Sequence, residues 1–478
     1  MIRNFIRKTS AVVLVLTLAL LPVTDASAFN QVHARQLAMG GAAASLFRGV
    51  ETIGWNPAFL AFRDNPGFSL VLPGLTPNLG MRLSNDFLSL DQVNTYFTNG
   101  QYWTAQDKQD ILNAVVGDAW DFYIDFYLPV FELSMQTRFA MLAISYDVGV
   151  SSDWRFSKEF LDVALNGNGI DNLGKLRDFS DTGLRGQAAS RIGFTFARNF
   201  ETAFEDVDWI DEVTFGFTAS YLLGHGYFDV IQSDMTMLTD IGTFESNGLV
   251  KVVNAGVTGI GDSVNSNYFN GTGVGLDLGV GMKILDGRGT VGISVINLLN
   301  TIRYTQSQLR VYSFNTDSPL PLNGSLTNPQ SFIEDNFTTV DSLSDDYGAV
   351  DVHLPTVLHL NGGYRVGKSL TLSGNFRVGL NNAVGGSKTV RAGIGMEYTG
   401  IPVLPLRLGA SIGGRGGFSY GVGFGLRLGF LHTDVGWAWE RGFLNSANGL
   451  YMAMNTVCYF GSNKSLESPV MRRRVQQR

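Results

Sequence analysis

The sequence predicts an all-β fold, a transmembrane antiparallel β-barrel, on three observations. Long segments of the C-terminal half alternate apolar with small or polar residues at a period of two, which in a strand puts every second side chain on one face. The apolar faces of those segments are almost free of charge. Charge is also scarce overall. Asp, Glu, Lys and Arg make up 16% of the 478 residues, while Gly numbers 57 and aromatics reach 12%; soluble domains carry about 25% charged residues.

The chain opens like an exported one. Arg3, Arg7 and Lys8 precede an apolar run from Ser10 to Val23, and Ala26-Ser27-Ala28 forms a small-residue cleavage box. The run is short for a spanning helix, which needs about 20 residues. Cleavage after Ala28 is therefore expected, and residues 1–28 are a signal peptide. The mature chain belongs in the outer membrane of a Gram-negative-type envelope. One cysteine, Cys458, excludes an internal disulfide, and a net charge of −7 argues against nucleic acid.

Residues from Gln31 to Phe62 are small and turn-forming and do not alternate. Two later stretches read as short helices. One runs to Val115 behind a Thr104 cap, and the other spans Ser157 to Leu165 and stops before Gly167. Too short to be domains, they are expected at the periplasmic rim or inside the lumen.

The strands follow. Leu142, Ile144, Tyr146 and Val148 form one apolar face, and Val213, Phe215, Phe217, Ala219 and Tyr221 another. From Val274 to Ile284 every second residue is apolar and the others are Gly, Asp277 and Lys283. Leu370 to Leu380, Ala392 to Tyr398, Leu404 to Ile412, Phe418 to Phe430 and Leu431 to Trp439 repeat the pattern, and Gly449 to Phe460 closes the series. A soluble sandwich also alternates, but its polar face is usually rich in Lys, Glu and Thr. Here that face is Gly, Ser, Asn and scattered Arg. A Lys or Arg turned to lipid near the midplane costs about 2–4 kcal/mol, so charge-free apolar faces suit a bilayer. Strand parity allows fourteen to eighteen strands, with Leu70–Leu90 and Phe228–Val253 as the uncertain hairpins. The barrel is assigned to 63–460 and a basic periplasmic tail to 461–478. Arg472-Arg473-Arg474 in that tail could meet a periplasmic partner. Residues 313–352 form an acidic loop without Lys or Arg. It reads as a solvated loop, or as one that binds divalent cations.

Chemistry-bearing motifs are few. Gly409-Ala410-Ser411-Ile412-Gly413 fits G-x-S-x-G, but that motif needs a strand-turn-helix elbow and here it lies within an alternating strand. No pair among the five histidines has metal-ligand spacing. No catalytic residue, metal or cofactor is expected. Inward charge is the more informative feature. Arg365, Arg377, Arg391, Arg407 and Arg427 fall on the non-lipid faces of successive strands, together with Asp277, Glu397, Asp434 and Glu440. They could draw an anionic head group into the lumen, or pair with one another and with Glu51 and Asp64. Pairing is expected, because unpaired buried charge is costly.

One segment carries a resemblance. Ala34-Arg35-Gln36-Leu37-Ala38-Met39-Gly40-Gly41-Ala42-Ala43 is followed by Gly49-Val50-Glu51-Thr52-Ile53-Gly54-Trp55-Asn56-Pro57-Ala58. This resembles the start of FadL-like outer-membrane transporters, and within that superfamily the DUF5723-type branch, although Ala34 stands where those chains have Gly. The resemblance implies about fourteen strands and a hatch, residues 29–62, folded inside the lumen. Met39, Gly40, Gly41, Trp55, Asn56 and Pro57 would be its motif. It further implies a channel for hydrophobic or amphipathic small molecules such as fatty acids, set among membrane lipid and lipopolysaccharide. The alternative is a non-transporting barrel that serves as scaffold or secretion-system accessory.

Overall fold

The computed structural model describes residues 32–462 except 73–77, 99–101, 169–171, 201–206, 208, 242, 257–270, 316–319, 322–341 and 345–347, and also describes the pair 24–25. The expected signal peptide (with that pair excepted), the expected periplasmic tail beyond Ser462 and most of the acidic loop lie outside the described residues.

The wall is a closed antiparallel barrel of fourteen strand positions. Strands β1 (Pro66–Val71) and β2 (Leu79–Asn85) share the first position. The rest follow in chain order: β3 (Ala119–Gln136), β4 (Met141–Ser157), β5 (Gly183–Asn199), β6 (Ile210–Asp240), β7 (Gly271–Ile284), β8 (Gly289–Leu299), β9 (Val357–Val366), β10 (Leu370–Gly379), β11 (Arg391–Tyr398), β12 (Leu406–Gly413), β13 (Ser419–Leu428), β14 (Leu431–Glu440) and β15 (Gly449–Ser462). β15 closes the ring on the first position, with Pro66 opposite Ser462 and Gly449 opposite Ser84. Closure leaves no sheet edge, the one arrangement of strands that lipid tolerates.

Alternation sets the two surfaces. Val274, Ile394, Leu408, Ile412, Phe424 and Leu428 point outward and are exposed, while Asp277, Lys283, Glu397, Arg407 and Asp434 point inward and are buried. We call the end where the wall starts at Pro66 and stops at Ser462 the near end. Turns there are short, such as 285–288, 367–369 and 429–430. Connections at the far end are longer.

Two expectations are corrected here. The helices Ala105–Ala114 and Lys158–Asn166 do carry the caps read from sequence, Thr104 and Ser157. However, they follow the far ends of β2 and β4, so they sit at the far rim, outside the lumen and opposite Pro66 and Ser462. There Ile111, Leu112 and Leu165 pack under Phe87, Trp103 and Leu161. Counting strand direction, rather than judging helix length, would have placed them. The two uncertain hairpins also resolve differently from each other. Phe228–Val253 is the outward extension of β6 paired with strand Thr243–Ala255. Leu70–Leu90 is no hairpin at all: β1 and β2 run the same way along one wall position, interrupted between them.

Candidate functional site

The residues after Val32 fill the lumen. Helix α1 (Ala34–Ala38) begins at His33, whose ring accepts a hydrogen bond from the Arg35 N–H at 3.3 Å. Met39 ends it. Gly40 and Gly41 then turn the chain at φ +61° and +86°, a region that favours glycine. Three short 3₁₀ turns lead to Phe62. Met39, Ala43, Ala44, Phe47 and Trp55 pack together at the centre of the segment.

The inward glycines of the wall are the seats of this segment. A Cβ on Gly395 would stand 2.6 Å from the Met39 carbonyl oxygen, and one on Gly216 would stand 2.5 Å from the Pro57 carbonyl carbon. On Gly80, Gly393, Gly409, Gly421 or Gly436 a Cβ would overlap the backbone of Val32 to Gly40. The hatch therefore lies backbone to wall around much of the barrel. Alternation showed these glycines only as small inward residues. Asn56 locks the far side of the belt. Its Nδ2 donates to the carbonyls of Val280 and Ile293 at 3.2 and 3.3 Å, and its Oδ1 accepts from the Ala58 N–H at 3.0 Å. Ser294 Oγ donates to the Trp55 carbonyl at 2.6 Å.

Charge completes the attachment. Arg35 reaches Glu51 at 2.7 Å within the hatch and Glu397 of β11 at 3.2 Å. Arg407 continues the chain to Glu397 at 2.6 Å and Asp434 at 2.7 Å, the latter a charge contact without hydrogen-bond geometry. Arg427 meets Asp434 at 2.9 Å. Asp64, at the exit of the hatch, pairs with Arg48 at 2.7 Å and contacts Lys283. His33, in the hatch rather than the wall, is held neutral: burial lowers its pKa to about 4, against the pull of Glu51.

The five inward arginines thus part company. Arg407 and Arg427 belong to the hatch network. Arg391 lies 3.7 Å from Glu440 and donates to Ser419 at 2.6 Å. Arg377 has no ion pair among the described residues. Arg365 is exposed at the near rim, where it donates to the Gly287 carbonyl at 3.3 Å. Sequence reasoning missed three contributors. Arg82 lies within the uncertain stretch Leu70–Leu90, and it is sandwiched between Tyr123 and Tyr451. Arg415, in the glycine-rich turn after β12, pairs with Asp153 at 2.5 Å. Gln36 sits inside the motif but had no role. His359 packs on Trp55 and His432 on Tyr459. Ser411 lies mid-strand and bonds Ser419 at 2.7 Å.

The hatch leaves two chambers. The near one, about 650 Å³, is bounded by Leu46, Pro66, Pro405, Val457 and Phe460 and by the Arg35–Glu51–Glu397–Asp434 network. The far one, about 80 Å³, is lined by Gln36, Arg82, Asn375, Arg377, Arg391 and Arg415. A third cavity of about 20 Å³ lies between Val50, Glu51 and Ile53 of the hatch and Val71, Asn78 and Pro129 of the wall, beside the interruption. There the strand pairing on β15 jumps from Cys458 to Met454.

Residues 57–434 match the profile of a family described only as a family of unknown function (DUF5723). No curated protein matches the chain. Among solved structures it is similar to the toluene transporter TbuX of Ralstonia pickettii, at 13% identity over 90% of this chain and 100% of that one, with a TM-score of 0.46. It is similar also to the toluene transporter TodX of Pseudomonas putida (11%, 91% and 100%, 0.46) and to a Pseudomonas aeruginosa FadL homologue (12%, 92% and 99%, 0.43). At such distances the likeness carries no statement about substrate.

Proposed function

We propose that this chain, which belongs to the DUF5723 family, is an outer-membrane channel for small amphipathic or hydrophobic molecules, with the hatch as its barrier. The near chamber carries the reading. Its volume of about 650 Å³ falls within the range of about 300–1,000 Å³ typical of small-molecule sites, and it sets apolar residues such as Leu46, Pro405, Val457 and Phe460 against four arginines and four carboxylates. On this reading a second way out, through the wall, would open at the break in strand pairing between Leu70 and Leu79. The apolar exterior supports placement among lipid and lipopolysaccharide. No helix among the described residues is long and apolar enough to cross a membrane.

The test is uptake into proteoliposomes. A ligand-dependent conductance, or import of a fluorescent amphiphile, is expected, together with faster import once the hatch network is weakened. Protein that neither conducts nor imports, with or without an intact hatch, would end the channel reading.

One observation favours a second reading. A hatch seated backbone to backbone on so many wall glycines has little room to shift. A closed, non-transporting barrel that presents its far-end extension and its tail to other proteins is consistent with that fit. Hydrogen exchange separates the two: a channel needs the amides of 33–62 to exchange by local opening well below global unfolding.

A further inference from the structure

Loops between neighbouring strands normally run over the surface, because their backbone polar groups need partners that water supplies. The loop between β10 and β11 departs from this. Residues 380–390 carry one charge, Lys388, around a run of small residues, Ala383-Val384-Gly385-Gly386-Ser387. Ala383, Val384 and Ser387 are buried. The loop turns on itself where the Gly386 N–H donates to the Ala383 carbonyl at 2.8 Å, with Gly385 at φ +71°.

Its partners stand across the barrel. β10 and β11 hold the ninth and tenth of the fourteen wall positions, and β4 holds the third, six strands away in one direction and seven in the other. Asp153 of β4 nevertheless accepts from the Gly385 N–H at 3.2 Å. Arg185 of the neighbouring β5 donates to the Asn382 carbonyl at 3.2 Å. A closed ring of this size puts such partners on opposite walls, so these bonds form only if the loop crosses the lumen. Arg415, in the turn after β12, fastens the same place. It reaches Asp153 at 2.5 and 3.0 Å and donates to the Gly386 carbonyl. The start of the loop is pinned as well: Asn381 Oδ1 accepts from the Thr356 N–H at 3.0 Å, and its Nδ2 donates to the Leu354 carbonyl at 2.9 Å. Thr24 and Asp25, which pair with Thr389 and Lys388, take no part in these bonds. The far chamber lies against the loop, and its lining joins Gln36, Gly40 and Gly41 of the hatch to Ser387 and Arg415. It is a compartment with the hatch on one side and the crossing loop on the other.

We propose that residues 380–390 form a strap that shuts the far mouth, latched across the lumen by Asp153, so that the barrel carries a second barrier in series with the hatch. Asp153 holds Arg185, Arg415 and the loop backbone at once. Without its carboxylate the two arginines lose the group that aims them at the Asn382 and Gly386 carbonyls, and the strap keeps its anchor at Asn381. Release breaks no strand pairing of the wall. A solute coming from the far end has to move the strap before it meets the hatch. The inference concerns access to the far mouth and does not rest on conduction.

Full-length protein in detergent micelles is labelled with a membrane-impermeant charged maleimide. Asn375→Cys puts a thiol on the wall of the far chamber, in a Cys458→Ser background that removes the protein's own thiol. Labelling is compared in a variant whose residues 382–388 are replaced by Gly-Ser-Gly, and in Asp153→Ala. Both leave the hatch and its contacts unchanged, so a faster rate reports access from the far end. The parent is expected to label slowly, and each variant about tenfold faster or more, as a locally opened segment would. Should either variant misfold, Gly385→Pro replaces it: proline has no N–H for Asp153 and cannot hold φ +71°. A shortened loop that labels no faster than the parent overturns the strap. Fast labelling of the shortened loop with slow labelling of Asp153→Ala keeps the strap and overturns the latch at Asp153. No part of the readout needs transport, so a failed strap and a failed channel are separate results.

Discussion

Asn56 lies across Gly279 so closely that a side chain on Gly279 would occupy the place of the Asn56 amide. The hatch is thus fitted to the wall at the level of single atoms, and a methyl group is enough to disturb it. Gly279→Ala is expected to cost about 1–3 kcal/mol as an overpacking change. The cost should fall on the hatch rather than on the strand ladder. Limited proteolysis should cut Gly279→Ala within 33–62 while 66–462 stays protected. Equal protection of the hatch in both proteins would contradict the fit.

Asn56→Ala removes the cap on Ala58 and both contacts to β7 and β8. Each net hydrogen bond contributes about 0.5–1.5 kcal/mol, so a loss of about 1–3 kcal/mol in hatch stability is expected. Hydrogen exchange of the amides after Trp55 reads it directly.

The ion pairs should divide sharply by burial. Arg407→Met leaves Glu397 and Asp434 buried with weakened partners, and breaking a buried pair costs about 3–5 kcal/mol. Arg365→Ala, at the exposed rim, is expected to stay within about 0.5 kcal/mol of the parent. Denaturant midpoints of the two variants side by side test this; similar midpoints would refute the network's role.

His33 gives the hatch a pH dependence. Burial lowers its folded pKa to about 4, against 6.5 for an unperturbed histidine. A lowered pKa means the unfolded hatch binds the proton first. Stability is therefore fully present above about pH 6.5 and is lost progressively as pH falls toward 4. Protection of the hatch amides should drop between pH 7 and pH 5, and His33→Asn, which keeps a capping acceptor, should flatten that drop.

At the wall interruption the Thr456 N–H donates to the Asn78 side chain at 2.7 Å, a contact that stands in for a missing ladder bond. Asn78→Ala should speed exchange at Thr456 and, on the channel reading, raise import of amphiphiles. Unchanged exchange at Thr456 would show that the interruption is closed by other means.

Much of this architecture was legible in the sequence because period-two alternation is a local property. Each of Val274, Leu276, Leu278 and Val280 reports its own face, so the barrel and the inward position of Arg377, Arg391, Arg407 and Arg427 could be read without knowing which strands pair. The hatch motif was legible only through resemblance, since Met39-Gly40-Gly41 and Trp55-Asn56-Pro57 have no periodicity of their own. Tertiary structure alone decided what those residues touch. Ring closure brings Arg35 to Glu397, 362 positions away, and sets Gly409 beneath Met39. It places Arg377 opposite Arg391 and both beside Gln36 of the hatch, and it puts the two short helices at the far rim. Sequence fixes which face a side chain takes. Register and closure, which depend on pairings between distant strands, determine its neighbours, and here the neighbours separate Arg407, held by Glu397 and Asp434, from Arg377, which has no ion pair among the described residues.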